Sequence, residues 1–192
     1  MNTLFPVEPL IPEGFYYFPD FINQDEEMQL IREISDIQLS TFIFQGFEAK
    51  RKVANFGYDW NFEKRRLSKG KQIPAVFNPV IEKAETHLSL KRGELAEVLI
   101  TEYPLDSVIN WHRDAPPFDV IAGISLFSDC IFRFRPHDKA KQSRHAVLSL
   151  RLERRSLYVI KGPARTVWQH SILPVKHVRY SITLRTLKTN GY

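Results

Sequence analysis

The stretch Arg179-Tyr180-Ser181-Ile182-Thr183-Leu184-Arg185 alternates residue by residue between polar and apolar side chains. A strand turns successive side chains to opposite faces, so Arg179, Ser181, Thr183 and Arg185 share one face and Tyr180, Ile182 and Leu184 the other. If the apolar face packs beneath helices, the polar face looks into a barrel, where two arginines are costly unless they meet anions. A dicarboxylate satisfies both, because a guanidinium grips a carboxylate in a planar two-bond fork. The other reading of the same pattern is an exterior strand with solvated arginines.

The rest of the C-terminal half repeats this texture. Residues 97–103, 119–127, 131–135, 146–152, 156–161, 165–170 and 178–187 are short β-branched or aromatic segments, punctuated by Pro104, Pro116, Pro117, Pro136, Gly162, Pro163 and Pro174. No helical pattern separates them, which points to a sandwich or jelly roll rather than a parallel sheet. Two helices precede them. The first starts at Asn23 as N-cap with Asp25, Glu26 and Glu27 in its first turn, repeats Met28, Ile31 and Ile34, and ends near Asp36. The second begins near Pro74 and carries Phe77, Val80, Ile81, Ala84 and Leu88 on one face until Gly93. Both are expected to pack on a sheet. Residues 41–71 fit neither period but mix aromatic and charged side chains, as a flap does. The reading is one α+β domain, mainly β, over residues 1–192.

Composition bounds the function. The 192 residues include 27 Lys and Arg against 22 Asp and Glu, and no apolar run approaches the roughly 18–20 residues that span a bilayer. Residues 1–10 lack the basic start and apolar stretch of a secretory leader, and a lone Cys130 excludes an internal disulfide framework, so a cytoplasmic protein is expected. Cys130 itself reads as a buried small residue on a strand. The net charge of +5 is uneven: residues 47–72 carry an excess of +5 and residues 131–155 an excess of +6. Two basic blocks on an otherwise acidic chain point to a polyanion such as nucleic acid, unless both are only solvated edges.

Chemistry concentrates in Asn110-Trp111-His112-Arg113-Asp114-Ala115. If extended, it places His112 and Asp114 on one face, able to share a metal ion. His170, at the end of Thr166-Val167-Trp168-Gln169-His170, is the best second histidine. Two histidines and one carboxylate form the facial triad of non-haem Fe(II) oxygenases, and such a centre explains the arginine pair. His87, His137, His145 and His177 have no partner at ligand spacing and read as surface or helix decoration.

His112-x-Asp114, His170 and Arg179-x5-Arg185 together resemble the AlkB family of Fe(II)- and 2-oxoglutarate-dependent dioxygenases, over most of the chain from Phe18-Pro19-Asp20-Phe21-Ile22 onward. The resemblance implies a double-stranded β-helix (jelly-roll) core at about 97–187 and a nucleotide-recognition flap at about 41–71. It implies that His112, Asp114 and His170 bind Fe(II). Arg179 then takes the distal carboxylate of 2-oxoglutarate, and Arg185 lies near its oxoacid end. Tyr103 contacts the co-substrate, with Thr101 and Ser181 standing where the family has asparagines. It further implies O2 as oxidant and oxidative demethylation of N-alkylated bases in single-stranded or flipped DNA or RNA. In the flap, Asn55-Phe56-Gly57-Tyr58-Asp59-Trp60 is similar to the family's Gly-Tyr-x-Tyr element, so Tyr58 and Trp60 either stack on a base or pin the flap to the core. Trp111, Arg51, Arg133 and Arg135 complete the expected substrate contacts, with both basic blocks bordering one mouth. The acidic residue that some relatives place just past the iron triplet is missing from Ala115-Pro116-Pro117-Phe118. Three alternatives stay open: a hydroxylase or demethylase of a protein or small molecule, a non-catalytic jelly-roll nucleic-acid-binding module, and a zinc hydrolase with the same three ligands, which the arginine pair disfavours. A monomer without membrane attachment is expected.

Overall fold

The computed structural model describes residues 11–44 and 46–189, so the leader reading of residues 1–10 lies outside the described residues. In chain order, β1 (Phe15–Phe18) and α1 (Gln24–Ser35) lead into β2 (Ser40–Phe44), β3 (Phe47–Phe56), β4 (Tyr58–Asn61) and β5 (Arg66–Lys69). Then come α2 (Asn78–His87), β6 (Leu95–Tyr103), β7 (Ile109–His112), β8 (Phe118–Leu126), β9 (Cys130–Pro136) and β10 (Leu148–Leu152). The chain closes with β11 (Leu157–Ile160), the short α3 (Gly162–Thr166), β12 (Trp168–Ile172) and β13 (Arg179–Leu187). Seven strands form one sheet in the order β1-β11-β8-β13-β6-β3-β2, four form a second in the order β10-β9-β12-β7, and β4-β5 is a separate hairpin. These antiparallel sheets make the jelly roll that the sequence pattern predicts.

The first helix starts where local chemistry places it. Asn23 and Glu26 exchange hydrogen bonds with each other's backbone N–H in a capping box, and Asp36 closes α1. A 3₁₀ turn over Ala75–Phe77 precedes α2, delaying its start from Pro74 to Asn78. Phe77, Val80, Ile81 and Ala84 are buried as expected. The buried stripe of α1 is instead Glu27, Leu30 and Ile34, with Met28 exposed. Glu27 earns burial because Arg154 forks onto its carboxylate and the Phe127 N–H donates to it at 2.8 Å.

The alternation of β13 divides two cores. Ile182 and Leu184 join Val98, Ile100, Ile124 and the helical residues in one cluster beneath α1 and α2. The opposite face of the large sheet meets the small sheet across Phe132, Phe134, Tyr158 and Ile172. Gly123 makes this filling possible: a Cβ there would lie 2.1 Å from the Tyr158 ring, so only glycine lets that ring lie against the sheet. The exterior-strand alternative for β13 is thereby excluded, since Arg179 is 1% exposed.

Several expectations need correction. Residues 165–170 do not form one strand: Gly162–Thr166 is helical, with Pro163 in its first turn, and β12 starts at Trp168. Residues 41–71 are four strands, of which β3 pairs with β6 in the large sheet and with the edge strand β2 on its other side; both its faces are partly exposed, which blurs its periodicity. β1 carries no pattern of its own, being only four residues, and β7 matches the extended reading of residues 110–115 only as far as His112, stopping before Asp114. Cys130 is buried at the start of β9, as expected.

Candidate active site

The inner face of the large sheet carries one polar row per strand. From β6 come Glu97, Thr101 and Tyr103; from β13 come Arg179, Ser181, Thr183 and Arg185; β8 adds Ser125. Register makes neighbours of them, since Ser181 sits between Thr101 and Ser125, and Arg185 lies opposite Glu97. The Tyr103 hydroxyl reaches the Ser181 hydroxyl at 3.4 Å.

His112 and His170 are directly paired across β7 and β12, with ring centroids 4.2 Å apart. The Nδ1–H of His112 donates to the Asn110 carbonyl at 2.8 Å, which leaves its Nε2 lone pair outward. Burial holds His112 below the usual imidazole range and, helped by the close approach of the His112 ring, pushes His170 down to about 3, so both rings are neutral near pH 7. His170 also stacks on Phe132 at 5.3 Å.

Asp114 follows β7 and faces the histidines, its Oδ2 lying 3.5 Å from His170 Nε2. Burial alone would raise its carboxyl, but Arg185, both histidines and Arg165 overcome that and hold it far below the carboxylate range. Arg185 Nη2 donates to Asp114 Oδ1 at 2.9 Å, while Asp114 Oδ2 is buried with no hydrogen-bond partner among the described residues. Arg165 fixes the loop from behind, one Nη2 donating to the carbonyls of Asp114, Ala115 and Phe118 at 2.6–3.2 Å.

The fit to a metal can be judged from these atoms. Two neutral imidazoles beside an orphaned, ionised carboxylate oxygen form a mixed N,N,O donor set suited to Fe(II). The array is loose: among the described residues no three His, Cys, Asp or Glu side chains stand as a finished cage. It is the donor chemistry and the orphaned oxygen that fit the ion.

The two arginines differ. Arg179 Nε and Nη2 donate to Ser125 Oγ at 3.2 and 3.0 Å, its guanidinium lies 4.9 Å from the Tyr103 ring centroid, and its Nη1 is buried without a partner among the described residues. A fully buried cation with only neutral partners among the described residues fits an incoming carboxylate. Arg185 does not match the expectation of a co-substrate contact as simply. Its Nη1 donates to both Glu97 oxygens at 2.9 and 3.0 Å and its Nη2 to Asp114, so its described hydrogen bonds are all spent on protein carboxylates. Burial pushes the Glu97 carboxyl up to about 7, with Arg185 pulling against it. Glu97, Ser125 and Arg165 escaped the sequence reading. The first was signalled by alternation, two positions from Leu99 on the same face as Thr101 and Tyr103; Arg165 carried no local signal.

The expected substrate residues divide. Arg51, on β3, comes to the mouth: it stacks on Phe42 at 4.0 Å, and its charge is felt by both His112 and Tyr103. Tyr58 and Trp60 are half-buried on the β4-β5 hairpin, and Trp60 packs on the inter-sheet core. Trp111, Arg133 and Arg135 stand on the opposite face of the small sheet from His170. Arg133 and Arg135 each lie 4.7 Å from the Trp111 ring centroid and donate to Ser171 and Gln169, so they do not line the pocket. The second basic block does not border one mouth either, because Arg151, Arg154 and Arg155 pair with Asp129, Glu27 and Asp20. Burial raises the Cys130 thiol, which is protonated and no nucleophile.

Comparison with known proteins gives the following. A family model described as the 2OG-Fe(II) oxygenase superfamily matches residues 14–185. The chain is 26% identical over 197 residues to the "Alkylated DNA repair protein ALKBH8 homolog" of Arabidopsis thaliana, covering 90% of this chain and 55% of that one. It is 27% identical over 175 residues to the "tRNA (carboxymethyluridine(34)-5-O)-methyltransferase ALKBH8" of Mus musculus, covering 86% and 25%. The chain therefore spans about half the length of the plant relative and a quarter of the mouse one. In fold it is similar to the solved structure of OsALKBH1, with a TM-score of 0.70 at 15% identity, over 94% of this chain and 100% of the other.

Proposed function

Because the chain belongs to the 2OG-Fe(II) oxygenase superfamily, on its AlkB-like branch, and is a dioxygenase working with Fe(II), 2-oxoglutarate and O2, we propose that it oxidatively removes an N-alkyl group from a base in nucleic acid. His112, Asp114 and His170 would hold the iron, through imidazole nitrogens that are already neutral and the carboxylate oxygen that has no other partner. Iron and 2-oxoglutarate bound there would supply the oxidising power for hydroxylating a C–H bond of the N-alkyl group, with O2 as the oxidant and succinate and CO2 as by-products. An N-hydroxymethyl product would then lose formaldehyde, its hydroxyl proton ending on the base nitrogen.

The protein's own work is placement. Arg179 takes the distal carboxylate, with Ser125 and the Tyr103 ring fixing its plane. Thr101, Ser181 and Tyr103 line the co-substrate's bed with hydroxyls. Arg185 keeps Asp114 ionised and oriented. A target base must be flipped or unpaired to enter between the sheets.

The observation that carries the nucleic-acid reading is Arg51, a half-buried guanidinium at the mouth that has no acidic partner among the described residues. It suits a phosphate of the extruded nucleotide, while Tyr58 and Trp60 offer flat surfaces to the base. The name of the mouse relative makes RNA the first polymer to try. The test is turnover of N-methylated single-stranded RNA and DNA with Fe(II) and 2-oxoglutarate, read as succinate and loss of the methyl mass. Expected is methyl loss that vanishes in His112→Ala and weakens in Arg51→Ala. Co-substrate consumption stimulated by neither polymer, with no binding to either, overturns the reading in favour of a protein or small-molecule substrate.

A further inference from the structure

We infer that Glu97 is a positioning residue of the iron centre: it sets Arg185 so that Asp114 presents one oxygen, and only one, to the metal. The inference rests on the ligand set proposed above. Glu97 sits directly across from Arg185 in the β6-β13 pair, so the backbone register alone brings the two side chains together. It is 3% exposed, a burial that a carboxylate tolerates only when paired.

The geometry forms a chain of three groups. Both Glu97 oxygens accept from Arg185 Nη1, at 2.9 and 3.0 Å, and Arg185 Nη2 donates to Asp114 Oδ1 at 2.9 Å. A guanidinium is planar and rigid, so anchoring one nitrogen at two points sets the direction in which the other donates. The Phe118 ring, 5.1 Å from the guanidinium carbon, backs the group. Asp114 Oδ1 is therefore occupied, and Oδ2 is left bare toward His170.

This division matters for a centre that must keep positions open. A carboxylate free at both oxygens can bind an ion with both and use a position that co-substrate or dioxygen needs. Without Glu97, Arg185 is free to turn toward any other anion, the co-substrate included, and Asp114 loses its orientation. The Asp114 backbone is held separately by Arg165, so a change at Glu97 acts on the side-chain orientation while the loop stays in place. Partners of metal ligands commonly carry a factor of about 10–100 in metal affinity.

The test uses Mn(II) alone as an air-stable probe, titrated into metal-free protein and followed by its electron paramagnetic resonance. Parent, His112→Ala, Glu97→Gln and Glu97→Asp are compared, with circular dichroism confirming the fold of each. Expected is parent binding that His112→Ala removes, and a dissociation constant raised about 10–100-fold in Glu97→Gln. The bound-ion spectrum should change as well, which a merely structural residue would not cause. If Glu97→Gln does not fold, Glu97→Asp, which keeps the charge but shortens the reach, is held to the same expectation. A folded Glu97 variant that binds within about twofold of parent, with an unchanged spectrum, overturns the inference while leaving the ligand set intact. A parent that binds no Mn(II), or a His112→Ala that binds like parent, overturns the ligand set and this inference with it.

Discussion

Arg179 and Arg185 lie towards the two ends of β13 and face the same interior, Arg179 fully buried and Arg185 only partly so. Their surroundings differ completely. Each has one buried nitrogen without a hydrogen-bond partner among the described residues, Nη1 of Arg179 and Nε of Arg185, but Arg185 is paired with the carboxylates of Glu97 and Asp114, whereas Arg179 has only a serine hydroxyl and a tyrosine ring. A buried cation whose charge is already neutralised belongs to the scaffold of a site; one whose neighbours are neutral is kept for a ligand. The same residue type at alternate positions on one strand thus serves two ends, and neighbouring strands β6 and β8 make the difference.

The comparison breaks most sharply at the Arg185 end. Replacing Arg185 by Met leaves Glu97 and Asp114 buried without their cation, so metal-free protein should lose about 3–5 kcal/mol of stability in urea denaturation. Arg179→Met removes a cation that has no carboxylate partner among the described residues. It should fold and bind Mn(II) like parent, but its 2-oxoglutarate affinity should fall by roughly 10–150-fold, matching about 1.5–3 kcal/mol for a charged hydrogen bond. Isothermal titration of the Mn(II)-loaded protein would show this; equal loss of fold in both variants would erase the distinction.

Acid titration sharpens it further. Glu97 has a raised pKa of about 7, so the folded state holds a proton that the unfolded state has released; its contribution is fully present below about 4.5 and is lost as pH rises through 7. His170 is depressed to about 3, so the unfolded state takes the proton first, and stability falls as pH drops from about 6.5 toward 3. The two oppose each other between about pH 4.5 and 6.5. Glu97→Gln should therefore show a steeper loss of metal-free stability across that window than parent, measured by denaturation midpoints at successive pH values. The smallest effect belongs to Ser125→Ala, which removes one neutral acceptor from Arg179. About 1 kcal/mol is expected, a weakening of 2-oxoglutarate binding of less than about tenfold, with Mn(II) binding unchanged.

Much of the architecture was readable because its signals are local. The capping residues at Asn23, the apolar face of α2 and the alternation of β13 depend only on the neighbouring chain, and each stands in the structure where the pattern puts it. The same local logic failed where packing decided. α1 buries Glu27 and exposes Met28 because Arg154 waits 127 residues away. Arg133 and Arg135 looked like mouth residues from their place between His112 and His170, yet strand alternation on β9 turns them outward onto Trp111. Arg165 read as the start of a strand, whereas its helix aims it at three carbonyls beside Asp114.

By itself, the sequence determined the strand-rich core, the two N-terminal helices, the candidate ligands His112, Asp114 and His170, and the presence of two inward arginines. Residue type and short-range period carry that information. Only the tertiary structure decided which arginine is free, because that depends on Glu97 and Ser125, brought beside β13 by strand pairing across 88 and 54 residues of chain. It likewise decided that Arg51 reaches the mouth while Arg133 and Arg135 do not. Electrostatic pairing acts over a few ångströms of space, and distance along the chain says little about which charges meet there.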